Sequence, residues 1–171
     1  MLALNTDVQA LGRMPSIHTF AIGPSATGGM GSGGDPAIGR KAMRESLEQV
    51  GQLVADADLV FVAAGMGGGT GTGAAPLVAD LARKSGALTV GVVTRPFTFE
   101  GSRRAELSEQ GLKALSQKVD TIIVVDNNRL LSSLEGEPSL DAAFRMADEV
   151  LRQGVEGIAE IVSMPGLINV D

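Results

Sequence analysis

The nine residues Gly65-Met66-Gly67-Gly68-Gly69-Thr70-Gly71-Thr72-Gly73 constrain this chain more than any other stretch. They follow Leu59-Val60-Phe61-Val62-Ala63, a short β-branched apolar run of the kind that forms a buried parallel strand. They precede Leu77, Val78 and Leu81 at helical spacing, with Gly86 placed to stop that helix. A glycine-dense turn from strand into helix can gather successive N–H groups and the positive end of a helix into an anion-binding nest. A Cβ there would hold the backbone away from phosphate oxygens. Thr70 and Thr72 add hydroxyl donors. The pattern predicts a phosphate loop in preference to a plain tight turn.

The rest of the chain repeats the alternation. His18 to Ile22 reads as a short strand and Gly23 to Gly34 as a Gly/Ser loop. Asp35-Pro36 reads as a helix N-cap followed by proline at the first position, opening a helix to about Ala55. Leu88 to Val93 and Thr121 to Val125 are further buried strands, separated by a loop from Thr94 to Gly101 and a helix from Ser102 to about Gln117. Asn127 to Leu134 is a short helical turn. Ser139 caps a long helix over 139–162, with Leu140, Phe144, Ala147, Leu151, Val155, Ile158 and Val162 on one face. Strands alternating with helices predict an α/β fold, a Rossmann-like doubly wound parallel sheet. In such sheets ligands sit beyond the carboxyl ends of the strands, where every glycine loop here lies.

Composition narrows the function. The 171 residues suit one domain, and a net charge of −6 offers no general footing on nucleic acid or an anionic membrane. Only Arg103-Arg104 forms a local basic cluster able to meet a phosphate. The chain has no cysteine, so neither disulfides nor thiolate metal sites are expected, and no metal ligands are assigned. Met1 to Asp7 does not read as a signal peptide, and no apolar run approaches the ~20 residues that span a bilayer. A cytoplasmic protein without direct membrane insertion is the expectation.

The type of phosphate ligand is a separate question. The lysine-bearing G-x-x-x-x-G-K-[ST] loop is absent. Gly69-Thr70-Gly71-Thr72-Gly73-Ala74 satisfies a loose dinucleotide pattern, which keeps an NADP-dependent oxidoreductase as a distant alternative. The next strand ends in Thr94-Arg95, where a ribose-binding acid would be expected. The single histidine, His18, lies in a predicted strand far from the loop in sequence.

Taken in order, the motifs resemble the tubulin/FtsZ family, and its bacterial cell-division branch more than tubulin. Gly65 to Gly73 resembles the family signature. Thr94-Arg95-Pro96-Phe97-Thr98-Phe99-Glu100-Gly101 with Arg103-Arg104 resembles the next loop. Asn5-Thr6-Asp7, Gly29-Met30-Gly31-Ser32-Gly33, Asp35-Pro36 and Gly39-Arg40-Lys41 resemble the early region. Asp148 to Val155 and Pro165-Gly166-Leu167-Ile168-Asn169-Val170-Asp171 resemble the central helix and the catalytic loop after it.

The resemblance implies a filament-forming GTPase of the division ring at midcell. Gly67, Gly68, Gly69, Thr70 and Gly71 would cradle the phosphates of GTP or GDP, with Gly31, Ser32, Gly33 and Gly34 near the terminal phosphate and Mg2+ expected beside it. Glu100 would hold the ribose and Arg104 approach the phosphates. Asn127, Phe144 and Asp148 would form the base pocket, where a carboxylate can accept from guanine N1–H and N2 together. Asn169 and Asp171 would act on the nucleotide of the next subunit, so hydrolysis would occur at a head-to-tail contact, the kind that builds filaments. Implied partners are further copies of the chain, membrane tethers and regulators. Without the family, Glu100 and Arg104 read as an exposed loop pair, Phe144 as core, Asp148 as a solvated helix charge and Asn169-Val170-Asp171 as a polar chain end.

Several departures stand beside the likeness. The family's opening strand, glycine loop and helix, the second aspartate of its catalytic loop, and its second domain have no counterpart in these residues. The chain reads as a partial GTP-binding domain over 1–171, with 163–171 the start of the catalytic loop. Gly28 stands where a basic residue is usual and Asp126 where proline is common. In a doubly wound sheet the opening strand is central, so Ala3-Leu4 and His18 to Ile22 are expected to lack their middle partner. At ~1–3 kcal/mol for each unpaired buried backbone group, these residues alone are expected to fold poorly and hydrolyse little GTP. A non-catalytic nucleotide- or subunit-binding module of the same fold is the alternative.

Overall fold

A computed structural model describes residues 1–14, 16–133, 136 and 138–163. Five strands alternate with helices: β1 Leu2–Asn5, α1 Val8–Gly12, β2 His18–Ala21, α2 Pro24–Thr27, α3 Pro36–Glu45, α4 Leu47–Val54, β3 Leu59–Gly65, α5 Thr70–Lys84, β4 Leu88–Arg95, α6 Ser102–Ser116, β5 Thr121–Asp126, α7 Asn127–Ser132 and α8 Leu140–Ser163. A single 3₁₀ turn, Thr98–Glu100, lies between β4 and α6.

All strand pairing is parallel, as expected of a doubly wound α/β fold, but it falls into two sheets. β1 pairs with β2 from Leu2↔His18 to Asn5↔Ala21. β4 is central to the other sheet, with β3 on one side from Leu59↔Leu88 and β5 on the other from Val90↔Thr121. Among the described residues no ladder joins the two sheets, so β1 and β2 have only each other. α5 and α6 cover one face of β3–β4–β5, burying Val62, Ala75, Ala79, Val93, Leu112 and Leu115. α8 lies across the other face, where Gly154 comes against Val92. α3 and α4 close a second core with Ile22, Ala42, Met43, Val50 and Ala74.

Several expectations are corrected. Asp7 accepts from the N–H groups of Gln9 and Ala10 and starts α1, which the sequence reading passed over. The expected Gly23–Gly34 loop contains the helical turn α2. The helix expected to run unbroken to Ala55 splits at Ser46, whose φ of −107° and ψ of 14° leave the helical region while its Oγ accepts from Gly23 N. The three apolar runs are not equally buried: β4 is buried over six consecutive residues, whereas β3 and β5 have neighbours on one side only and are mostly half-buried. The α8 face is also rotated. Ala143 and Ala147 are its buried contacts, while Leu140 and Phe144 are exposed. Two alanines let the helix approach closely enough to pack on Phe97.

Candidate functional site

The glycine loop leaves β3 and enters α5 as expected, but its glycines divide between two tasks. A Cβ on Gly69 would come within 2.7 Å of Asp35 N, and one on Gly73 within 2.6 Å of Arg40 N. These two, with Gly39, let α3 and α5 touch backbone to backbone. A Cβ on Gly71 would meet the Gly65 carbonyl at 2.7 Å, and one on Gly67, at φ +100°, the Arg104 carbonyl at the same distance. Only at Gly68 is the space open. So Gly67, Gly69, Gly71 and Gly73 serve close packing, while Gly65 has only ordinary contact and Gly68 open space.

The donors divide in the same way. Thr72 is buried, and its Oγ1 accepts from Gly67 N at 2.9 Å, so that hydroxyl and that amide serve the loop itself. Among the described residues the N–H groups of Gly68, Gly69, Thr70 and Gly71 donate to no protein acceptor. They are the orphan amides of the first turn of a 15-residue helix, whose dipole favours an anion. Beside them three hydroxyls meet: Thr70 Oγ1 lies 2.7 Å from Thr6 Oγ1 and 3.1 Å from Ser32 Oγ. Gly31, Gly33 and Gly34 all have positive φ and carry Ser32 to this point, and Gly31 N donates to the Thr6 carbonyl at 3.0 Å. Thr6 enters the sequence reading only as part of Asn5-Thr6-Asp7 and without a role, because a threonine at a strand end carries no chemical signal of its own.

Glu100 and Arg104 reach the same corner, since Gly67 abuts the Arg104 backbone. They meet each other there. Arg104 donates to Glu100 Oε1 at 2.6 Å, and Phe97 N donates to Oε2 at 2.8 Å. The Glu100 carboxylate is therefore a local cap with a side chain only 10% exposed. It is not the free pair of exposed loop charges that the residues suggest without the family.

A second corner forms at the ends of β4 and β5. Thr98 donates through both N and Oγ1 to Asn128 Oδ1, tying the 3₁₀ turn to the start of α7. The flanking Phe97 and Phe99 stack at 4.8 Å, and Phe144 meets both edge-on. Asn127 is 5% exposed, and its Oδ1 has no hydrogen-bond partner. Phe144, at 41% exposure, is a rim residue and not the core residue its periodicity suggests. Asp148 lies one turn further along α8, with no ion pair or hydrogen bond among the described residues. Partial desolvation pushes its carboxyl above the usual carboxylate range. Asn169 and Asp171 lie outside the described residues.

Parallel strands with a glycine loop, orphan helix-start amides and a separate polar-aromatic corner at their carboxyl ends define a Rossmann-like nucleotide-binding class. Comparison with known families matches residues 1–135 to "Tubulin/FtsZ family, GTPase domain". A solved structure described as an empty FtsZ dimer from the archaeon M. jannaschii is 46% identical with a TM-score of 0.93, over 99% of this chain and 49% of that one. CetZ1 from Haloferax volcanii, described as a GDP-bound monomer, is 26% identical with a TM-score of 0.77, over 88% of this chain and 48% of that one. CetZ2 from the same organism, described as a GTPgS-bound protofilament, is 28% identical with a TM-score of 0.77, over 90% and 47%. The chain belongs to the tubulin/FtsZ family, and it spans about half the length of these relatives.

Proposed function

We propose that this chain supplies the guanine-nucleotide site of a filament-forming GTPase of the FtsZ type, working in the cytoplasm at the division ring. The observation that carries the reading is the row of unpartnered N–H groups from Gly68 to Gly71, at the start of α5 and beside the Thr70 hydroxyl. They would hold the phosphates, with Ser32, Gly33 and Gly34 facing the terminal one and Arg104 adding charge. Among the described residues no group of three or more His, Cys, Asp or Glu is placed to hold a metal. Mg2+ would accompany the phosphates.

Guanine is favoured by the second corner. The unpartnered Asn127 Oδ1 can accept an N–H, Phe144 offers a half-exposed ring, and the unpaired Asp148 carboxylate can accept from guanine N1–H and N2, a donor pair adenine lacks. Hydrolysis would be completed by Asn169 and Asp171 acting on the neighbouring subunit's nucleotide in a head-to-tail polymer. The FtsZ relative is described as a dimer and the CetZ2 relative as a protofilament, which supports self-association. The bacterial setting, the membrane tethers and the regulators rest on the motif resemblance. Among the described residues no helix is long and apolar enough to cross a membrane.

Competition for a labelled GTP tests the reading on the protein as its gene encodes it. Unlabelled GTP and GDP displace the label, and ATP and NADPH do not. Equal displacement by ATP or NADPH sinks the base-pocket assignment. A non-catalytic nucleotide-binding module would bind with the same selectivity and release no phosphate at any protein concentration.

A further inference from the structure

Thr6 is the last residue before Asp7 caps α1, and it is 1% exposed. Its carbonyl accepts from Gly31 N and from Thr27 Oγ1. Its hydroxyl has one partner, Thr70 Oγ1 at 2.7 Å, so the buried hydroxyl proton has a single acceptor among the described residues. Thr70 Oγ1 has a second neighbour, Ser32 Oγ at 3.1 Å. A hydroxyl carries one donor and two acceptor lone pairs. If Thr6 donates from one side and Ser32 from the other, both lone pairs of Thr70 are filled and its own proton is left over. Thr70 is only half-buried, and it sits among the orphan amides of the α5 start.

We propose that Thr6 is a positioning residue that acts through Thr70. Its donated hydrogen bond fixes the Thr70 hydroxyl as a donor toward an anionic oxygen at the α5 N-terminus. Without Thr6, Thr70 can turn its proton inward to Ser32 and present a lone pair to the phosphate, which repels it. The inference rests on the nucleotide reading above. It assigns a function to a buried residue just past the end of β1, 64 positions from the loop residue it serves. The bond also ties the β1–α1 connection to the start of α5.

The test is a double-mutant cycle in the protein as its gene encodes it, read as the affinity for a fluorescent GTP analogue. Thr6→Val removes the hydroxyl and keeps the shape, and is expected to weaken binding roughly threefold to tenfold. Thr70→Val is expected to weaken it at least as much. In the double variant the Thr6 change adds nothing further, because its route through Thr70 is gone. Thr6→Ser keeps the donor and binds within about twofold of the unmodified protein. Thr6→Val within about twofold of the unmodified protein, or additive losses in the double variant, overturns the inference while leaving the phosphate site standing. Normal binding by Thr70→Val overturns the inference together with the phosphate assignment. If Thr6→Val does not melt cooperatively, Thr6→Ser decides: weak binding by that folded variant overturns the inference.

Discussion

The Glu100 carboxylate receives the Arg104 guanidinium at 2.6 Å, one helical turn away, and the Phe97 N–H at 2.8 Å on its other oxygen. The two side chains expected to meet the ribose and the phosphates thus hold each other in place, and only one of them is also bound to the backbone. Their removal should have different consequences. Arg104→Ala breaks a half-exposed ion pair and should cost less than ~1 kcal/mol of stability. Glu100→Ala also leaves the Phe97 amide without its acceptor and should cost ~1–3 kcal/mol. Urea denaturation separates the two, and GTP affinity should fall in both.

The glycines of the signature should separate into fold and ligand classes. Gly73→Ala pushes a methyl group into the α3 backbone and should destabilise the protein by ~2–4 kcal/mol. Gly68→Ala meets nothing within 4 Å and should leave the melting temperature nearly unchanged while nucleotide binding drops. Paired thermal melts and binding isotherms check both. A Gly68→Ala variant that binds normally would remove the phosphate from this loop.

Asp148 should trade stability for selectivity. Its carboxyl is raised by desolvation, so the folded state holds the proton more tightly than the unfolded chain does. The contribution of this residue is therefore most favourable at acid pH and is lost as pH rises through the raised value. Asp148→Asn should raise the melting temperature at neutral pH. The gain should disappear when the pH falls below the ordinary carboxylate range. The same variant should lose discrimination between guanine and other bases.

Glu45 should act as a clamp on the segment that leads into the Ser32 loop. Its two oxygens accept from Ser25 N and Ala26 N, each at 2.9 Å. The Ser25 amide holds its carboxyl below the usual range, with Ala26 and Lys41 acting in the same direction. A lowered value means the clamp is in place at neutral pH and is lost only as pH falls through it. Glu45→Gln should speed hydrogen exchange at Ser25 and Ala26 at neutral pH, and at mildly acidic pH the unmodified protein should still protect both. Unchanged exchange in the variant would show that the clamp contributes nothing to local order.

The order of strands and helices was legible because short β-branched runs alternate with capped helical segments, and glycine or Asp-Pro marks most junctions. What escaped was set by distant partners. Ser46 breaks a helix without glycine or proline, since its hydroxyl holds Gly23 from another element. Asp7 is a good N-cap, and the α1 it starts could have been read from it. Nothing in the apolar runs distinguishes the central strand β4 from its half-covered neighbours, because that depends on pairing. At the site, the glycine loop was legible from its place between strand and helix, while the Asn127, Phe144 and Asp148 set came from motif likeness. Thr6 was invisible because its role depends on a hydroxyl 64 positions away. Glu100 and Arg104 were legible as a loop pair, but the covering of the Glu100 carboxylate was not, because it depends on the fold of the turn around it.

The close contact of α3 with Gly69 and Gly73 bears on how such a sequence signature ages. A descendant that stopped using nucleotide would still need those glycines to keep two helices in register, so mutation there would be purged for reasons unrelated to chemistry. Gly68 and Asp148 carry no such second duty and would drift first, whereas Thr70 also holds Thr6 and Ser32. A chain bearing the glycine pattern alone is thereby known by its architecture, and whether it still binds nucleotide would have to be read at positions free of that duty.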